Sequence, residues 1–196
     1  MAMAQKEMET TNIEKGNLSM NSKVFSLWLF MVSVVMVFAA LTSAYIVRQA
    51  EGNWYVFDLP GIFYTSTVVI LLSSATMHGA YLAAKKDQFN LMKILMLVTS
   101  VLGVAFLVMQ FYGWIFLVNI NVYFVGNPSG SFLYVLTGLH GLHLVSGVVF
   151  VLIVLVQAFQ YKVHAKNLTL MQMCGTYWHF LDGLWLYLFV FLLLNR

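Results

Sequence analysis

Leu136-Thr-Gly-Leu-His-Gly-Leu-His-Leu-Val-Ser-Gly-Val-Val-Phe150 sits inside an apolar run over residues 132–159. That run is long enough to cross a bilayer as a helix. Two imidazoles in such a run are costly unless something specific uses them. His140 and His143 are three apart, so they share a helix face, and Gly147 lies on it four residues beyond His143. Gly138 and Gly141 lie on a different face. One side of this helix is small and polar and another is small. Such a helix is expected in the middle of a bundle, with little of it facing lipid.

Four further apolar runs cover 24–47, 62–84, 91–118 and 170–194. Each reaches the ~20 residues that a spanning helix needs. The expected fold is therefore an all-α integral membrane bundle of five transmembrane helices. The connections over 48–61, 85–90, 119–131 and 160–167 leave no room for a separate soluble domain. Asn127-Pro128-Ser129-Gly130 reads as a turn in the third of them. Residues 1–22 read as a polar tail and 23–196 as the membrane domain. The tail lacks the apolar core and small-residue site of a cleaved signal peptide.

Composition agrees with a membrane protein. The chain is 61% hydrophobic and 9% charged, against about a quarter charged for a soluble domain. A net charge of +3 and the lack of a basic, aromatic-interleaved cluster argue against nucleic acid. The single cysteine, Cys174, excludes an intrachain disulfide and a cysteine-held cluster. Lys6, Lys15, Lys23, Lys85, Lys86, Lys93, Lys162 and Lys166 fall on one side of the five-span topology, and only Arg48 and Arg196 on the other. The positive-inside rule then places the N-terminus in the cytoplasm and the C-terminus outside.

In the last run, Gly175, His179, Asp182, Gly183 and Leu186 follow one helix face, with Trp178 and Trp185 to one side. Asp182 is the only carboxylate deep in any run. It must be paired or neutral there. Thr67, Ser74 and His78 share a face of the second helix, and Gly103 and Gln110 one of the third. Hydrogen-bonding glue between helices accounts for most of these groups. The expected polar core is His78, Gln110, His140, His143, His179 and Asp182. Counted at about 1.5 Å per residue, His143 and Asp182 both fall near mid-bilayer. A buried knot of His143, His179 and Asp182 joining the fourth and fifth helices is expected. Four intramembrane histidines also raise b-haem ligation, which needs a histidine from each of two helices.

Thr137-Gly-Leu-His-Gly-Leu-His-Leu-Val-Ser-Gly147 and Tyr177-Trp-His-Phe-Leu-Asp-Gly-Leu-Trp185 resemble the two signature segments of subunit III of the haem–copper cytochrome c oxidases. Leu27-Trp-Leu-Phe-Met-Val-Ser33, Ser73-Ser-Ala-Thr-Met-His78 and the Gly-x-x-Phe-x-x-x-Gln pattern of Gly103 to Gln110 resemble segments of three other family helices. The likeness runs from Lys23 to the C-terminus. Many family members have seven helices, and this chain resembles the last five.

The resemblance implies an accessory subunit of an aa3-type oxidase in a bacterial inner membrane. This chain would hold no metal or redox cofactor and no catalytic residue. Haem a and copper would belong to the partners, subunit I as the main contact and subunit II, with further respiratory subunits in reach. It also implies bound phospholipid, for which Arg48, Lys85 and Lys86 are headgroup candidates. Three family glutamates are replaced here, by Val34, Gly113 and Gln172. The alternative is a b-haem membrane anchor of a respiratory reductase using His78, His140, His143 and His179. A small transporter has only Asp182 to recommend it.

Overall fold

A computed structural model describes residues 22–52, 54–159 and 168–195. The tail residues 1–21, Lys162, Lys166 and Arg196 lie outside the described residues. Five helices follow in order: α1 Ser22–Ala50, α2 Gly61–Lys85, α3 Phe89–Asn119, α4 Pro128–Phe159 and α5 Thr169–Leu194. All five are long and apolar enough to span a membrane, and no strand occurs among the described residues.

The helix ends follow from local chemistry. Asp87 (φ 54°) and Asn121 (φ 61°) take left-handed backbone just past α2 and α3. Asp and Asn tolerate that region better than other non-glycine residues. At α2 the Gln88 and Asp87 amides donate to the carbonyls of Ala83 (3.0 Å) and Ala84 (3.2 Å). At α3 the Val122 and Asn121 amides donate to Leu117 (2.9 Å) and Val118 (3.1 Å). This paired pattern satisfies carbonyls that a helix end leaves orphaned. Asn127-Pro128-Ser129-Gly130, expected as a turn, instead starts α4. The Ser129 amide donates to Asn127 Oδ1 at 2.9 Å, and Pro128 occupies the first helical position, where its missing N–H costs nothing.

Helices α2, α3, α4 and α5 form a closed ring, each touching the next and α5 returning to α2. α1 stands outside it and packs on α4 and α5. The ring's axis is filled by the fully buried side chains of Trp178 and Trp185, with Phe63, Phe106, Ile70 and Leu136 around them. Trp185 stacks on Phe63 (centroids 6.2 Å) and meets Phe106 edge-on (4.9 Å). The tryptophans expected beside the polar face are thus the core itself. α4 is not central either. Leu142, Val145, Val149, Leu152 and Val156 remain exposed along it. Its glycines serve a ring contact instead, since in a ring every helix keeps one outward face.

Two glycines make room for the indoles. A Cβ on Gly103 would stand 2.7 Å from Trp178 Cη2 and 3.1 Å from Val148 Cγ2. One on Gly147 would stand 2.8 Å from Leu181 Cδ1. Gly183 has nothing within 4 Å. Gly103→Ala should therefore destabilise the solubilised protein by about 1–3 kcal/mol through overpacking. Gly183→Ala should be neutral or stabilising by up to about 1 kcal/mol through helix propensity. Thermal unfolding of the two variants side by side measures both.

Candidate functional site

The polar side chains inside the bundle sort into seams between pairs of helices. The α2–α5 seam is the richest. Trp178 Nε1–H donates to Ser73 Oγ at 3.1 Å and Trp185 Nε1–H to Thr67 Oγ1 at 3.0 Å. His179 Nδ1 and Ser74 Oγ are 2.7 Å apart. Residues rise along α5 as they fall along α2, so the two helices are antiparallel. Thr76 and Thr99 hydroxyls join α2 to α3 at 2.8 Å, and Gln110 Nε2 donates to Ser66 Oγ at 2.9 Å. Trp114 Nε1–H donates to Thr137 Oγ1 across α3 and α4 at 3.0 Å. Ser146 and Tyr177 hydroxyls join α4 to α5 at 2.7 Å. α1 is tied to α5 by the Thr42–Tyr187 hydroxyl pair (2.9 Å) and by Tyr45 Oη–H donating to the Asn195 carbonyl (2.8 Å).

The expected knot of His143, His179 and Asp182 does not form. His143 Nδ1 pairs with the Leu139 carbonyl of its own helix at 2.7 Å, and its ring turns to Phe38 and Phe30 of α1. His179 turns instead to Ser74 on α2. The two face different neighbours because α4 and α5 meet through the opposite flank of α5, where Tyr177 sits. Asp182 is buried and neither carboxyl oxygen has a hydrogen-bond partner. Ser74 is its polar neighbour, but the geometry between them is not that of a hydrogen bond. Of the two states expected for this acid, the paired one has no partner here.

The remaining positions divide. Gln110 is buried in the α2–α3 seam. His140 is fully buried between Phe106 (6.0 Å) and Trp185 (5.2 Å), with neither ring nitrogen hydrogen-bonded. His78, expected in the core, is exposed on α2 and its ring lies 6.2 Å from that of His179. Arg48 is ion-paired with Glu51, and Lys85 and Lys86 are exposed at the end of α2. Among the described residues no three His, Cys, Asp or Glu side chains converge as a metal site. Among the described residues His78 and His179 approach as a pair from two helices. The two matched pairs that a di-haem anchor would use are not brought together.

The positions where the resemblance implies glutamates are filled in three ways. Val34 is buried in the core. Gly113 lies against Phe63, where a Cβ would come within 3.0 Å. Gln172 donates from Nε2 to Tyr81 Oη at 3.3 Å.

Residues 8–195 match the family described as Cytochrome c oxidase subunit III. The chain belongs to that family. It is 28% identical over 181 residues to the cytochrome bo(3) ubiquinol oxidase subunit 3 of Buchnera aphidicola, covering 89% of this chain and 95% of that one. It is 29% identical over 182 residues to the cytochrome c oxidase subunit 3 of Alkalihalophilus pseudofirmus, covering 90% and 88%. To the cytochrome bo(3) ubiquinol oxidase subunit 3 of Pseudomonas aeruginosa it is 30% identical over 174 residues, covering 85% and 81%. It is thus a multi-pass membrane subunit III of a haem–copper oxidase, and the reductase-anchor alternative is not favoured.

The expected polar core leaves out Tyr177, Tyr187, Trp114 and Thr42. Their signal was present: a buried phenol or indole needs a partner for its polar tip, and serine or threonine waits at matching height on the next helix. A double-mutant cycle of Ser146→Ala and Tyr177→Phe should give a coupling of about 0.5–1.5 kcal/mol. Trp185→Phe should cost about 1–3 kcal/mol, adding lost volume to the lost Thr67 bond. Unfolding in mild detergent measures each.

Proposed function

We propose that this chain is the accessory, non-redox subunit III of an aa3-type cytochrome c oxidase in the bacterial inner membrane. It packs on subunit I, carries bound lipid and stabilises the complex during turnover. The family match over residues 8–195 carries this reading. The physical support is the outer surface. α1 exposes Phe25, Trp28, Leu29, Phe30 and Met36, and α3 exposes Leu97, Val101, Phe111, Tyr112 and Phe116. Such faces suit lipid tails and the helices of a larger subunit, and oxygen, being apolar, partitions into them. Haem a and copper belong to the partners in this reading, with subunit I as the main contact and subunit II beside it. Lys85 and Lys86 remain candidates for lipid phosphates, while Arg48 already engages Glu51.

A bo3-type ubiquinol oxidase is the second reading, favoured by the Buchnera and Pseudomonas relatives. The chain is to be tagged, solubilised gently and measured by reduced-minus-oxidised difference spectroscopy before and after harsher detergent. An a-type signal that leaves with a larger subunit supports the first reading. A b- and o-type signal that leaves the same way selects the second. A haem that stays with the isolated chain overturns both.

The lysine distribution supports a cytoplasmic α2–α3 turn. Gln88 is exposed in that turn, and the single native cysteine is buried. Gln88→Cys should therefore react with a membrane-impermeant maleimide in inside-out vesicles and not in right-side-out ones. The reverse pattern would invert the assigned orientation.

A further inference from the structure

α1 packs on α4 and α5 but not on α2, and this leaves a cleft. Its cavity measures about 430 Å³ and opens between the start of α1, the end of α2 and the start of α5. Leu27 and Trp28 form one wall, and His78, Tyr81, Gln172 and His179 the other. Two observations define what the polar wall offers. Gln172 Nε2 donates to Tyr81 Oη, so the phenolic proton of Tyr81 is left for a further acceptor. His179 Nδ1 is engaged with Ser74, so its Nε2 is the nitrogen left for a ligand. Among the described residues no lysine or arginine lines the cavity. Those lining residues offer a phosphate no counter-charge. An uncharged molecule carrying oxygen acceptors would meet a phenol, an amide and imidazoles.

The apolar wall narrows the class further. Trp28 and Leu27 offer a flat, greasy surface to a ring. The outer face of α1 beside them, with Phe25 and Leu29, is exposed and apolar. A ligand with a long hydrocarbon tail can lay it along that face while its head enters the cleft. Small-molecule sites of this kind are concave, mostly apolar and carry a few placed polar groups. We propose that this cleft binds the head of a prenylated quinone, with Tyr81 and an imidazole of the His78–His179 pair donating to its carbonyl oxygens and Trp28 covering the ring. The proposal is of binding only and assigns no electron transfer to this chain. It stands apart from the choice between aa3 and bo3 partners.

The test uses membranes of cells expressing the tagged full-length chain, so it does not depend on which partners co-purify. The membranes are irradiated with a short-chain azidoquinone, and the purified chain is digested and mapped. Label is expected on peptides carrying Trp28, His78–Tyr81 or Gln172–His179. Excess unlabelled short-chain quinone should suppress it, and excess phosphatidylethanolamine or phosphatidylglycerol should not. Tyr81→Phe removes one donor without changing shape, and His78→Leu alters an exposed position, so both should leave the chain in the membrane at wild-type amount. Each should lower labelling about three- to tenfold, the effect of one neutral hydrogen bond. Label confined to other peptides, displacement by phospholipid as readily as by quinone, or undiminished labelling in both variants would overturn the proposal. In the displacement case the cleft is a general lipid site.

Discussion

Two indole N–H groups must find acceptors where there is no water. Trp178 and Trp185 are the largest side chains wholly buried in the bundle. An unsatisfied N–H in such a place costs several kcal/mol. Ser73 and Thr67 on α2 meet that need, and the rest of the ring is shaped to allow it. Gly103 on α3 and Gly147 on α4 remove the side chains that would collide with the Trp178 indole and its neighbour Leu181. Phe63 and Phe106 close around Trp185. The hydroxyls that accept from the indoles also donate to carbonyls one turn back on α2, Thr67 to Phe63 and Ser73 to Ile70. They are therefore held in place from both sides.

The spans were legible because the bilayer imposes a length and an apolar content that composition cannot hide. The connections after α2 and α3 were legible as breaks in the apolar runs, though the Asp87 and Asn121 geometry that stops the helices was not. What the sequence concealed was direction. Gly138, His140, His143 and Gly147 mark crowded faces of α4, but not which neighbour crowds them. His143 and His179 carry the same chemistry at compatible depth, yet they point to α1 and α2. The seams were hidden for the opposite reason. Tyr177 and Tyr187 look like ordinary interfacial aromatics until the hydroxyls of Ser146 and Thr42 are placed opposite them. The signature segments identified the family before any of this geometry, because a motif records a solution without saying how its parts touch.

Val34, Gly113 and Gln172, where the family resemblance implies glutamates, are each accommodated without a charge. Removing a carboxyl from a buried site removes a desolvation cost, and the neighbours adjust. Val34 is buried in the core, and His143 of α4 rests against Phe30 and Phe38 of α1. At Gly113 the space goes to Phe63. At Gln172 an amide keeps a polar link to Tyr81. Asp182 is a carboxyl that stays buried in the α2–α5 seam beside Ser74.

The ring also has an order of assembly written into it. The contacts of α2 with α3, α3 with α4 and α4 with α5 join sequence neighbours, whereas the α2–α5 seam joins residues 105 to 118 positions apart. On a ribosome, the serine and threonine acceptors of α2 are made long before the indoles that use them. Until α5 enters the bilayer, the hydroxyls of Thr67 and Ser73 have only their own helix to bond. The last helix therefore acts as a closing stave, and a chain that stops before Trp185 is an open palisade of helices with an unfilled centre.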